Sequence, residues 1–219
     1  MSRSETIKRY LFMIIGLFIT ALGVAVCVRP NMGISPIVTL AYAMHNIVPS
    51  LSLGTFAFFQ NVLFLILTAV LLGKHFKLNQ LLQLPCSFLF GAFIDFWEIL
   101  LRGPVPALYP VRLLLLLLGS TVIAFGFSII VTSGVAIESN TAFTNALSFR
   151  TGKPYGTMKT VGDVTIVVLA AIVSLIFLHT IVGIREGTII AALIIGPIAG
   201  FFKKRLAGME RFFHSGQKA

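Results

Sequence analysis

Apolar residues gather in six long runs, at about 10–28, 52–73, 79–101, 111–132, 157–181 and 187–203. Each run is long enough to span a bilayer, since about 20 residues at 1.5 Å each cover the roughly 30 Å hydrocarbon core. Helix breakers separate them: Arg29-Pro30-Asn31, Pro49-Ser50, Gly73-Lys74, Arg102-Gly103-Pro104, then Gly152, Pro154 and Gly183. Two further stretches, 29–46 and 132–149, are too polar and too short to cross. They read as half-helices at 35–48 and 138–149, each preceded by an extended piece, RPNMGI or TSGVAI. Ser35 suits an N-cap and Pro36 the first helical position, while Glu138-Ser139-Asn140 opens the second.

The two stretches occupy matching places in a repeat. At an offset of 103, Ala21 aligns with Ala124, Gly23 with Gly126 and Val28 with Val131. At 102, Gly54-Thr55 aligns with Gly156-Thr157 and Val62 with Val164; at 105, Gly91 aligns with Gly196. Each half then holds three crossings and one half-helix, and an odd number of crossings inverts the second half. The expected fold is an all-α polytopic membrane protein, with six transmembrane helices and two short re-entrant half-helices built as an inverted-topology repeat (3+3). Its parts are a cytoplasmic N-terminus (1–9), a first repeat (10–101), a connecting loop (102–110), a second repeat (111–203) and a basic tail (204–219).

Composition agrees with membrane embedding. Of 219 residues, 57% are hydrophobic and 11% charged, against about 25% charged in a soluble domain; the mean hydropathy is +0.98. The net charge of +10 points to topology rather than nucleic acid, because the basic residues flank apolar runs. With both termini cytoplasmic, 13 of the 17 Lys and Arg lie inside, and only Arg29, Arg102, Arg112 and Arg185 lie outside. A bacterial plasma membrane protein follows. Cys27 and Cys86 form no disulfide framework or metal spacing, and the four histidines are scattered.

A charge at mid-bilayer costs about 2.5–3.5 kcal/mol on insertion scales, so intramembrane polar residues are candidates for a solute or ion pathway. Asp163 and its repeat mate Asn61 suggest two helices facing one cavity; Lys159, one turn earlier, is either its structural partner or part of the site. Glu138 is either a helix cap or a proton or cation site. Ser35, Pro36, Ser139 and Asn140 sit at the half-helix starts, where free N–H groups attract anions or carboxylates. Gln60 and Asn145 can hydrogen-bond a solute. Asp95 and Glu98, with Arg102 a turn later, read as a solvated interfacial cluster. Arg29 and Arg185 are surface anchors or attract an anionic group to the mouth.

Three stretches resemble the YczE/YitT group of bacterial membrane proteins. GIREGTIIAALIIGPIAGFF (183–202) is similar to its closing motif, LGVAVCVRPNMGISP (22–36) to its opening, and FGAFIDF (90–96) to the run that ends its first half. Glu186 replaces the expected small residue and no Trp follows Pro36. The resemblance implies membrane embedding and repeats. It supplies no substrate and no catalytic residue.

The function expected is transport or export of a small polar or zwitterionic solute through the repeat interface, with Asp163 and Glu138 coupling protons or binding a cationic group and the half-helix N-termini holding a carboxylate. The alternatives are an aquaporin-like channel, which lacks the Asn-Pro-Ala signature at both half-helices, and the membrane substrate-binding subunit of a larger transport complex. No nucleophile–base pair, metal cluster or phosphate loop suggests an enzyme, and no cofactor is expected. The lipid bilayer is the expected partner, with room for a homodimer.

Overall fold

The computed structural model describes residues 3–104, 106–135 and 138–206. Eight α-helices follow one another: α1 Arg3–Val28, α2 Pro36–Ile47, α3 Leu53–Leu72, α4 Gln83–Leu100, α5 Tyr109–Ser133, α6 Ser139–Thr151, α7 Tyr155–Leu178 and α8 Glu186–Leu206. Short 3₁₀ turns at Gly73–His75 and Leu78–Leu82 link α3 to α4. The order is long, short, long, long, and then the same again. Six of the helices are long and apolar enough to cross a membrane; α2 and α6 are not. There is no strand among the described residues.

Local chemistry sets the boundaries. Pro36 occupies the first turn of α2, Pro49 follows its end, and Gly152 closes α6 at φ 68°. Ser52 caps α3 by accepting from the Thr55 N–H at 3.1 Å. The α1 helix begins well before the apolar run at residue 10, because Glu5 and Arg9 pair at 3.1 Å across one turn and Arg9 donates to Ser133 O at 3.0 Å. A charged first turn is thereby satisfied at the foot of α5.

The central contact is α1 against α5. Gly16 lies on Gly126 and Gly23 on Gly119, so the two helices run antiparallel. A Cβ on Gly23 would meet Ile123 N at 2.6 Å and Gly119 O at 2.8 Å. Membrane helices approach this closely where small residues let backbone touch backbone. The α4 helix flanks α1, with Trp97 donating to Phe18 O at 3.1 Å. The α8 helix flanks α5, with Ser128 donating to Ala199 O at 3.0 Å.

Helices α3 and α7 form the other side and hold α2 and α6 between them. Along α3, the contacts come in order. His45, near the end of α2, bonds Leu51 O just before α3 begins; Gln60 meets Ile37 and Ala41; Phe64 stacks on Phe143; His75 meets Phe149. The two short helices therefore lie head to head, their starts at the middle of α3 and their ends at its opposite ends.

Along one edge the two sides pack closely. Gly54 of α3 and Gly91 of α4 touch so closely that a Cβ on either would fall 2.0 or 2.4 Å from the other's carbonyl oxygen. Asp95 secures that edge, accepting from Gly54 N at 2.7 Å and Ser52 Oγ at 2.6 Å. The interfacial cluster expected for Asp95 is thus a helix-to-helix latch. On the other edge α7 and α8 do not pack together, and a Cβ on Gly156 or Gly196 would meet nothing within 4 Å.

This contrast predicts opposite responses to the same substitution. Gly23→Ala forces a methyl into backbone that cannot yield, and is expected to lose about 1–3 kcal/mol. Gly196→Ala has open space and gains up to about 1 kcal/mol from lower chain entropy. Melting temperatures of the detergent-solubilised variants check both.

Candidate functional site

A cavity of about 410 Å³ fills the gap between α7 and α8. Exposed Tyr155 and Lys203 lie on its wall, with Lys159 and Asp163 one and two turns along α7 from Tyr155. Ser35 and Pro36 from the start of α2, and Glu138 and Thr141 from the start of α6, share that wall. The two short-helix starts thus meet at one cavity. Apolar groups, among them Phe90, Ile123, Phe127 and Ile195, complete the lining.

Its charges are uneven. Lys159 and Asp163 pair across one helical turn. Glu138 stands at the N-cap position of α6, but its side chain makes no capping bond. Among the described residues it has one hydrogen bond, a long one, from Thr141 Oγ1 at 3.5 Å. Two carboxylates thus share the wall with the ammonium groups of Lys159 and Lys203, and of the two carboxylates only Asp163 is in a salt bridge among the described residues. Ser35 likewise makes no side-chain cap bond, which leaves the first N–H groups of α2 without a side-chain acceptor.

A second cavity, about 40 Å³, lies behind Glu138, among α1, α3, α4 and α6. Asn61, Gln83, Cys86, Ser87 and Ser139 line it, and Glu138, Thr20, Phe90 and Phe127 belong to both walls. Gln83 Oε1 is buried and has no partner among the described residues. A third cavity, about 390 Å³, lies beyond Gln83, between Val135, Asn145 and the α3–α4 turns at Lys77, Asn79 and Gln80.

The candidates separate on this map. Ser35, Pro36, Glu138, Lys159 and Asp163 line the large cavity; Asn61 and Ser139 line the small one; Asn145 lines the third. Asn140 is buried beside the site, with Nδ2 unpartnered among the described residues. Gln60 is held by α2: its Oε1 accepts from Ala41 N at 2.9 Å and its Nε2 donates to Ile37 O. These are the two groups that an α-helix pairs with each other, so the glutamine stands in the ladder of α2. Arg29 donates to Pro104 O at 3.2 Å and Arg185 to Asn31 O at 3.1 Å. Both arginines tie loops together, away from the cavity. Glu98 is half-buried near Asp95.

Tyr155, Thr141, Thr20, Gln83 and Lys203 also reach the cavities without having been singled out from the sequence. Tyr155 adjoins the Pro154 break, the one signal that pointed to it. Of Gly33 and Gly183, both at positive φ (98° and 73°), the first meets Thr188 and Arg185, so it seats the extended piece against the α7–α8 loop.

Gln60→Leu is expected to cost about 1–3 kcal/mol by stranding buried polar groups. Faster amide exchange confined to residues 37–41 would locate the loss at the start of α2.

No curated protein and no solved structure matches this chain. A family model does match, over residues 7–204, and by that coverage the chain belongs to the family of unknown function DUF6198.

Proposed function

We propose that the protein is a membrane carrier for a small zwitterionic solute, built as two inverted repeats, with both termini in the bacterial cytoplasm. The observation that carries this reading is the unpaired Glu138 carboxylate in the wall of a cavity where both short helices begin. The volume, about 410 Å³, falls within the range of small-molecule sites. An ammonium group seats against Glu138, and a carboxylate against the uncapped first turn of α2. Asp163 exchanges protons, its charge modulated by Lys159. The head-to-head short helices are re-entrant half-helices, of the kind that place sites near the midplane of inverted-repeat carriers. Non-helical backbone at that depth is tolerated where it lines a cavity. The motif resemblance to the YczE/YitT group fits the membrane embedding and the repeats of this reading and bears on no substrate.

A carrier fits better than a channel. The gap between α7 and α8 is open, whereas on the opposite edge Gly54, Gly91 and Asp95 bring α3 against α4.

The test is a thermal-shift screen of purified protein against amino acids, betaines and polyamines. A zwitterion at 100-fold over its dissociation constant stabilises the fold by about 2.7 kcal/mol. Glu138→Gln is expected to abolish that shift while leaving the unliganded melting temperature near its starting value. In proteoliposomes, Asp163→Asn is expected to lose pH-driven uptake and keep solute binding. A full shift in Glu138→Gln removes the site, and undiminished pH-driven uptake by Asp163→Asn removes the coupling.

A further inference from the structure

The two edges of the molecule differ at three places that the repeat makes equivalent. Gly54 and Gly91 are in contact, and their mates Gly156 and Gly196 stand in open space. Gly187 N donates to Met32 O at 2.8 Å and Ile34 N to Gly183 O at 3.0 Å, which docks the α7–α8 loop on the first extended piece. The corresponding elements of the other half, Val135 and the α3–α4 turns, flank a cavity of about 390 Å³ instead. Finally, Asp163, Ala191, Ala192 and Ile195 line the large cavity, and their mates Asn61, Cys86, Ser87 and Phe90 all line the small one. The small cavity is the large one's counterpart, collapsed to about 40 Å³ from about 410 Å³.

We propose that the two cavities are alternate entrances to one solute site at Glu138, the wall they share. In this structure the entrance between α7 and α8 is open and the one between α3 and α4 is shut. In the second state Gly156 packs on Gly196 as Gly54 packs on Gly91 here, and the Val135 segment docks on the α3–α4 turns. The Asp95 latch releases, and the small cavity widens toward the opposite face of the membrane. Inverted repeats produce two such states because each half can take the conformation of the other. Helical rows of small residues that touch on one edge and stand free on the other give each edge a packed form. This proposal rests on the repeat and the site described above.

A disulfide trap tests it. Neither Gly156 nor Gly196 has a neighbour for its Cβ, so Gly156→Cys/Gly196→Cys is expected to fold normally. A disulfide needs Cα atoms within about 7 Å, and forms only once α7 closes on α8. Native Cys86, in the wall of the small cavity, reports on the other entrance; Cys27→Ala removes the remaining thiol. Oxidation in membranes is expected to form the 156–196 disulfide. In the cross-linked protein, alkylation of Cys86 by iodoacetamide is expected to rise about tenfold as the half-buried thiol gains exposure to water. Absence of the disulfide overturns the proposal. So does a disulfide that leaves Cys86 as protected as before, which would mean that α7 and α8 breathe without opening the other side. No solute enters this experiment, so its failure is separate from failure of the zwitterion screen. A protein that alternates yet binds no zwitterion keeps the two states and loses only the assigned cargo.

Discussion

Backbone-to-backbone contact between α1 and α5 is the constraint on which the rest depends. In lipid, apolar side chains gain little by meeting one another, so close packing must supply the association. Gly16, Gly23, Gly119 and Gly126 supply it by letting backbone meet backbone, with Thr20, Cys27, Ile123 and Ile130 packed against them. The two longest apolar helices then form a rigid central pair, to which α4 and α8 attach from either side. Thr20 fits the same crossing, satisfying its hydroxyl on Gly16 O at 2.7 Å. A polar group thus lies in the middle of the pair without a stranded donor.

Polar backbone within an apolar fold raises the second demand. The extended piece before α2 has N–H and C=O groups that no helix satisfies. The α7–α8 loop meets them through Gly183 O and Gly187 N, and Asn31 at φ 50° makes the bend that presents them. Gln60 of α3 acts in a similar way on α2, accepting from Ala41 N and donating to Ile37 O. These bonds hold the start of α2 at the cavity wall. The candidate site and the satisfaction of the backbone therefore share the same few residues.

Much of this was legible in the sequence. The six spanning helices follow from run length, and both short helices from breakers such as Pro36 and Gly152, because those signals are local. Gly23 and Gly126 stand 103 residues apart, and Gly16 and Gly119 share that spacing, a signal that many apolar matches dilute. What was not legible is which polar groups face inward. Asp95 has the composition of a surface cluster and instead serves Ser52 and Gly54, some 40 residues away in the chain. Gln60 has the composition of a solute ligand and serves a neighbouring helix. Glu138 has the position of a cap without making its bond. Each depends on a partner that no local pattern names. The unequal edges were also hidden, because matched glycines such as Gly54 and Gly156 carry the same sequence signal whether or not they touch.

The crossing of α1 and α5 is self-complementary. Exchanging Gly16 with Gly119 and Gly23 with Gly126 returns the same pair of contacts, which is the defining property of an isologous dimer interface. A Cβ at any of the four positions would fall 3.0 Å or less from backbone of the facing helix, so each helix offers the other the same bare surface and neither can be thickened alone.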